Sequence, residues 1–176
     1  ERFFQDCKDV IGSDFEFRSK PRGPNLQVYR EIKETKSSLS LYVRRGDEYL
    51  DQKNKSILSN CSRKYYEQAI GLIVQRSQMT PNVFVFSDDP RWVRNHFRLL
   101  YNMRVVQHNP DEKAIEDLRL MTACKHHVIA NSSFSWWGAW LGQNPNKIIV
   151  APDRWFADPK YSNSDIYCKG WIRLEN

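Results

Sequence analysis

The chain lacks the features that would place it across a membrane or on a disulfide scaffold. No run approaches the ~20 apolar residues that a bilayer span needs, and no signal or transit peptide stands at the start. The opening Glu1-Arg2-Phe3-Phe4 has no Met, so the sequence reads as part of a longer protein. Cysteine is sparse. Cys7, Cys61, Cys124 and Cys168 lie far apart with no C-x-x-C pair, which argues against structural zinc. Four in 176 residues is also thin for a disulfide framework. They read as free thiols of a reducing compartment, and an oxidising one leaves open a pairing of Cys7 or Cys168. The common nucleotide fingerprints are missing too. There is no G-x-G-x-x-G and no Walker A sequence, and no G-x-S-x-G elbow, so Ser132, Ser133 and Ser135 do not read as hydrolase nucleophiles. Four scattered His and no H-E-x-x-H predict no metal site.

What is present is a globular composition. Apolar residues make up 40%, aromatics 13% and Trp six positions, far from a disordered profile. The length suits one domain with a real core and is small for two. The net charge of +6 favours anionic ligands or an anionic surface. The basic residues are scattered and form no nucleic-acid signature, so a solvated surface competes with that reading. Three N-x-S sequons, at Asn54, Asn60 and Asn131, matter only in a secreted protein.

Along the chain, residues 1–20 predict a short helix, and Pro21 to Pro24 a break. Gln27 to Lys36 reads as a helix and Leu39 to Val43 as a strand. A charged loop follows from Arg44 to Asn60, long enough to be functional. Ser62 is a good N-cap for a helix carrying Tyr65, Ala69, Leu72 and Ile73. Val83 to Phe86 is a buried-type strand, and Ser87 to Asp89 can cap a helix over Pro90–Phe97. Arg104 to Gln107 is a short strand and His108 to Asp111 a turn. Glu112 to Cys124 is helical, with Ile115, Leu118, Met121 and Thr122 on one face. His127 to Ala130 is a short buried strand and Phe134 to Leu141 a helix. Lys147 to Ala151 and Trp171 to Leu174 complete the strands. Strand–helix alternation from residue 39 predicts a parallel sheet with helices on both faces. Ligands of such sheets sit beyond the C-terminal strand ends. The segments 44–47, 87–89 and 131–135 all follow strands and should converge on one rim.

Several residues there could carry chemistry. Asn131-Ser132-Ser133-Phe134 has the layout of a strand, a hydroxyl-bearing turn and a helix start, where free amides and the dipole can hold a phosphate. Arg44 and Arg45 offer guanidinium forks for phosphate. One should face the site and the other the opposite side, and a surface ion pair is the competing reading. Asp47 and Glu48 are carboxylates beside them, against simple loop solvation. Glu116 and Asp117 stand on the helix before the serine turn, where one could accept two N–H bonds from guanine or both could be ordinary helix charges. Trp136, Trp137 and Trp140 fit a helix packed on the sheet better than a sugar-stacking platform.

Tyr42-Val-Arg-Arg-Gly-Asp47 resembles the H-x-R-R-G-D motif of the α-1,2-fucosyltransferases, glycosyltransferase family 11. Val85-Phe-Ser-Asp-Asp89 with Trp92 resembles that family's F-S-D-D segment. Glu116-Asp-Leu-x-Leu-Met121, Cys124-Lys-His126 and Asn131-Ser-Ser-Phe-Ser-Trp-Trp-Gly-Ala-Trp140 resemble its C-terminal signature, continued by Asn144-Pro145, Ala151-Pro152 and Trp155-Phe156. The resemblance covers roughly residues 39 to 156. It implies a GT-B enzyme with two Rossmann-like domains, GDP-fucose as donor, inversion at the anomeric carbon and no required metal or further cofactor. This chain would be largely the C-terminal, nucleotide-holding half. Residues 1–38 would be a helical segment, the remnant or end of an N-terminal domain, and residues 39–176 a GDP-sugar-binding domain.

Carried over residue by residue, Arg44 matches the arginine that neutralises the diphosphate in related enzymes. Asp117 matches a guanine-reading carboxylate. Ser132 and Ser133, with Asn131, Phe134 and Arg45 beside them, fall where donor oxygens would lie. Tyr42 stands at the motif's first position, where His is usual, and Asp47 matches its acid, with a role as base or in ordering the loop. The family's N-terminal G-G-L-G-N-Q motif is missing. The resemblance implies transfer of fucose to a glycan hydroxyl, such as galactose O2 on an oligosaccharide or lipid-linked acceptor. The setting would be the cytoplasm, with peripheral contact at the inner membrane face of a bacterium, or the Golgi lumen in a eukaryote. The competing readings are a non-catalytic GDP-binding domain, a basic RNA-binding domain, and a transferase using another nucleotide sugar.

Overall fold

The computed structural model describes residues 2–45, 59 and 61–176. Its frame is a six-stranded, wholly parallel sheet in the order β3-β2-β1-β4-β5-β6. The strands are β1 (Ser38–Val43), β2 (Asn82–Ser87), β3 (Met103–Val105), β4 (His126–Val128), β5 (Ile149–Pro152) and β6 (Ile172–Leu174). The helices are α1 (Lys8–Asp14), α2 (Gly23–Glu34), α3 (Arg63–Ser77), α4 (Pro90–His96), α5 (Ala114–Ala123) and α6 (Ser133–Trp140). The Rossmann-like α/β fold expected from the alternation is therefore the one observed, in the strand order of dinucleotide-binding sheets.

Side chains alternate across β1 because successive residues of a strand point to opposite faces. Leu39, Leu41 and Val43 join Val83, Val85, Val128 and Val150 on one face, covered by Tyr65, Ala69, Ile70 and Ile73 of α3 and Val93 of α4. Tyr42, Phe84 and Phe86 point to the other face, against Val28 and Ile32 of α2 and Leu120 and Met121 of α5. A third cluster joins α6 to β5 and the C-terminal segment through Trp136, Trp140, Ile149, Trp155 and Cys168. Both faces are thus dry, which explains the near-continuous apolar reading of β1 and β2.

Several boundaries differ from the sequence reading. α2 starts at Gly23, four residues before the expected Gln27. Pro24 lies in its first turn, where a missing N–H costs nothing. The apparent break at Pro21 to Pro24 is thus partly a helix start. β4 pairs over His126–Val128, earlier than expected, with His127 fully buried in the sheet. Ile115 does not join the buried face of α5 and is 55% exposed, because the first turn of that helix lies at an open rim. The tryptophans of α6 pack as expected for a buried helix, and they also hold the N-terminal segment. Phe15 stacks on Trp137 at 4.9 Å, and Phe4 meets Trp136, Trp137 and Trp140. Ser62 caps α3 by accepting from the Tyr65 amide at 3.1 Å, and all four cysteines are free thiols.

Tyr65 ties α3 to the sheet beside the functional rim. Its fully buried hydroxyl donates to the Ile129 carbonyl at 2.7 Å, one residue past β4. Tyr65→Phe leaves that carbonyl without its hydrogen bond. Urea unfolding should show a loss of about 1–3 kcal/mol with an unchanged slope. A loss within experimental error would mean that the hydroxyl does not hold the strand end.

Candidate functional site

The strand order reverses between β1 and β4, and that is where a parallel sheet opens a crevice beyond its carboxyl edge. Four chain segments leave the sheet there: Arg44-Arg45 after β1, Asp88-Asp89 after β2, Val106 to Pro110 after β3, and Ile129 to Ser132 after β4. The first three, with the starts of α5 and α6, wall a cleft of about 360 Å³, lined by Tyr42 and Arg44, Ser87 and Asp88, Asn109 to Asp111, Asp117 and Phe134; Ile129 to Ser132 do not line it. A larger hollow of about 600 Å³ lies under the N-terminal segment, between Phe15, Tyr29, Arg119 and Leu141. It is not at the strand ends. The smaller cleft collects the loops that parallel sheets use for ligands, and it is the site described here.

At one end of the cleft stands Arg44. Its Nη1 lies 3.0 Å from Oδ2 of Asp88, and its side chain keeps 25% exposure. The other carboxylate oxygen of Asp88 accepts the Arg45 backbone N–H at 2.7 Å. One carboxylate therefore fixes both the direction of the chain leaving β1 and the guanidinium that chain carries. Asp88 itself is placed by the turn that opens α4. There the Asp89 amide donates to the Ser87 hydroxyl at 3.0 Å, and Asp89 caps α4 by accepting from the Trp92 amide at 2.9 Å.

The two arginines separate as their adjacency predicts, and Arg45 turns away from the cleft. Its guanidinium stacks over the Trp92 ring at 3.8 Å and does not line the cleft. The reason is the alternation of an extended backbone: with Arg44 turned into the cleft, Arg45 must face α4. Asp47 and Glu48 lie outside the described residues, as does most of the loop expected to close the site.

Tyr42 is at the cleft floor, its ring 5.7 Å from Phe134, the second residue of α6. Its hydroxyl hydrogen-bonds with the side chains of Arg44 and Ser132. Burial, then the nearby Asp88 carboxylate, pushes its pKa up to about 12, so it stays a neutral phenol. It links the arginine after β1 to the serine turn after β4 across the switch point. Ser132 is the N-cap residue of α6, yet its side chain makes no capping bond. Among the described residues no N-cap side chain closes the first turn of α6, and Ser133 is exposed there.

Asn131 turns inward. It is buried, and its amide donates to the backbone carbonyls of Ser59 and of Trp155, the latter at 3.1 Å. It ties two segments together from inside, so its sequon is not presented to solvent. Ser135 is likewise internal, donating to the carbonyls of Ala130 and Ser132.

At the other end of the cleft is Asp117, in the first turn of α5. Oδ1 accepts from Asn109 Nδ2 at 2.7 Å. Burial raises its pKa to about 6, opposed by the Asn109 hydrogen bond and aided by Glu116. Glu116 faces elsewhere and pairs with Arg119 one turn on, at 3.0 Å. His126 and His127 are structural: His126 Nδ1 accepts the Ile148 amide, and burial lowers the pKa of His127 to about 3. Among the described residues no three His, Cys, Asp or Glu side chains converge as a metal site would require.

Sequence reasoning missed Asp88 as the partner of Arg44, and it missed Asn109 and its neighbour His108. Asp88 was legible only as part of a motif. Asn109 lies in what reads as a plain turn, although it follows a strand on the same rim as the other candidates.

A model of the family described as glycosyl transferase family 11 matches residues 15–175. An O-antigen biosynthesis glycosyltransferase, WbnK of Escherichia coli, is 38% identical over 153 residues, 85% of this chain and 49% of its own length. An alpha-1,2-colitosyltransferase of Escherichia coli is 32% identical over 183 residues, 99% of this chain and 60% of its own length. The chain spans about half to three-fifths of the length of these curated relatives. No solved structure matches it.

Asp117 gives this site a signature in stability. It holds its proton up to about pH 6 when folded, against the ordinary value of 3.8. Between those values the folded state binds more protons than the unfolded one, so stability falls as pH rises through that window and is level above it. Asp117→Asn removes the fall. The variant should match wild type near pH 4 and exceed it by up to about 3 kcal/mol at pH 7, read by urea unfolding. Parallel curves at all pH values would contradict the buried carboxylate.

Proposed function

The chain belongs to glycosyltransferase family 11, and from that premise we propose that it forms the donor-holding half of a fucosyltransferase using GDP-fucose. The observation that carries this reading is the polarity of one cleft. A permanently charged guanidinium, held by Asp88, stands at one end, and a carboxylate able to accept N–H donors stands at the other. A nucleoside diphosphate has those two ends. Its phosphates would meet Arg44 and the open first turn of α6, with Ser132 and Ser133, and its base would meet Asp117.

The reaction follows from the bond that must break. An acceptor hydroxyl, with galactose O2 proposed, attacks C1 of fucose on the face opposite GDP. The C1–O bond to the β-phosphate opens, configuration inverts, and charge grows on the departing diphosphate. Arg44 is worth most there, because a fixed cation stabilises charge as it develops without reorganising. Asp47 is the proposed base, and no metal or further cofactor is required. The acceptor would be an oligosaccharide or a lipid-linked glycan, met by a part of the protein beyond this chain. The net charge of +6 would suit loose contact with an anionic inner membrane face. Among the described residues no helix is long and apolar enough to cross a membrane.

A second reading concerns the sugar. The relative that covers nearly all of this chain is named for transfer of a colitosyl group, which favours a related deoxy sugar as the alternative donor.

The test is calorimetric titration of the chain with GDP, with UDP and ADP as controls. Selective GDP binding is expected, and Arg44→Ala should weaken it by about 1.5–3 kcal/mol, the worth of hydrogen bonds to a charged group. Equal binding of the three nucleotides, or none, would sink the GDP-sugar assignment. Binding of GDP with no transfer from GDP-linked fucose or colitose, once the full-length protein is supplied, would favour a non-catalytic domain.

A further inference from the structure

Behind Asp117 lies a chain of polar groups that no motif announces. Asn25, in the first turn of α2, and Asn109, after β3, form a reciprocal amide pair. Asn25 Nδ2 donates to Asn109 Oδ1 at 2.8 Å, and Asn109 Nδ2 donates back to Asn25 Oδ1 at 2.9 Å. The same Asn109 nitrogen donates to Asp117 Oδ1 at 2.7 Å, and His108 Nε2 lies 2.7 Å from Asn25 Oδ1. We propose that Asn109 and Asn25 are positioning residues for base recognition, aiming the Asp117 carboxylate at a base edge that presents two adjacent N–H donors. The proposal rests on the reading that Asp117 meets the donor's base.

Hydrogen-bond inventory gives the argument. A primary amide carries two N–H groups and one oxygen. Both N–H groups of Asn109 have partners, one on Asn25 and one on Asp117. Turning the amide over would set its oxygen against a carboxylate and against the Asn25 oxygen, so it has one orientation. Asn25 is fixed in the same way, because its Oδ1 accepts from Asn109 and its Nδ2 must donate back. His108 Nε2 can only donate to that oxygen, which selects its tautomer. Asn109 holds Oδ1, and both residues line the cleft; on this proposal Asp117 offers Oδ2 and the remaining Oδ1 lone pair to the base.

Guanine offers N1–H and N2–H side by side and can pair with both. Hypoxanthine keeps only N1–H. Adenine places an acceptor opposite the carboxylate and is repelled. A carboxylate left free to rotate would lose the paired geometry, and with it most of the discrimination between guanine and hypoxanthine.

The network also holds the charge that such a base needs. Burial and Glu116 push Asp117 toward its neutral form, and Asn109 favours the anion. Among the described residues, the charged groups facing this end are Glu116 on α5, Asp111 on the cleft wall, the Arg44–Asp88 pair at the strand ends, and Arg104 behind His108. None of them donates a hydrogen bond to Asp117 in its place. Removing Asn109 therefore raises the pH needed to ionise Asp117.

The experiment measures binding of GDP, IDP and inorganic pyrophosphate to the whole chain between pH 5.5 and 8.5, with melting temperatures. Wild type should prefer GDP to IDP by about tenfold or more, as expected for one hydrogen bond to a charged group. Asn109→Ala and the near-isosteric Asn109→Leu should reduce that preference below about threefold. They should shift the pH midpoint of GDP binding upward and leave pyrophosphate binding unchanged, with melting lowered by at most about 4–8 °C for the lost hydrogen bonds. Asn25→Ala should reduce the preference in the same direction. A variant that melts within that range and keeps the preference and the midpoint overturns the proposal, as does joint loss of GDP and pyrophosphate binding. Asp117→Asn separates the two levels. If it abolishes the preference while the Asn109 variants keep it, base reading by Asp117 stands and the positioning role fails. If Asp117→Asn itself keeps the preference, the reading of that end of the cleft fails, and the positioning role with it.

Discussion

Everything at the rim depends on the reversal of strand order between β1 and β4. The crossovers on either side of that point run in opposite directions, so the described residues leave a crevice at the carboxyl edge there, with the loops after four strands around it. The reversal is tolerated because each face of the sheet has its own apolar cover, with α3 and α4 on one side and α2, α5 and α6 on the other. A parallel sheet with one bare face would not keep β1 dry. Without a buried β1, Tyr42 and Arg44 would have no fixed origin from which to point.

From that origin, the site is held by polar contacts that cross between neighbouring strands. Asp88, after β2, fixes both the amide of Arg45 and the guanidinium of Arg44. Tyr42, on β1, joins Arg44 to Ser132 after β4. Asn109, after β3, reaches Asp117 on α5 and Asn25 on α2. Each of these three side chains ties its own strand end to another element. Tyr42 stands where the resembled motif has His. Its hydroxyl is engaged with Arg44 and Ser132, which on the proposed reading would put it at the phosphate end of the cleft.

Much of this was legible in the sequence. The alternation of apolar strands with helical spacing gave the sheet, and the rule that ligands lie beyond strand ends drew 44–47, 87–89 and 131–135 together before any coordinates. What escaped was direction. Whether Asn131 points into the cleft or into the protein depends on Ser59 and Trp155, which are 72 and 24 residues away and carry no periodic signal. Arg45 escaped because a stacking partner on the next helix is invisible to spacing rules. Asn25 escaped most completely. It stands in a polar helix start far from every motif, and only the packing of α2 on α5 brings it to the site. Propensity and periodicity report on neighbours along the chain. Polar networks join residues that are neighbours only in the fold.

The placing of Asp88 against Arg44 raises a further question, because an acid beside a phosphate-binding arginine weakens its pull on a bound diphosphate. Two effects run the other way. An unheld arginine surrenders about 2 kcal/mol of side-chain freedom when it binds, and Asp88 removes much of that cost in advance. The second effect concerns rate. Ground-state binding of donor and binding of the departing diphosphate differ by the charge that develops between them, and only the difference speeds the chemistry. In the proposed reaction the attraction of Arg44 scales with the charge it faces, so Asp88 lowers it on donor and departing diphosphate alike, and what remains is still larger on the latter. On that proposal the gain is one of placement: a guanidinium already held by Asp88 meets the developing charge without reorganising.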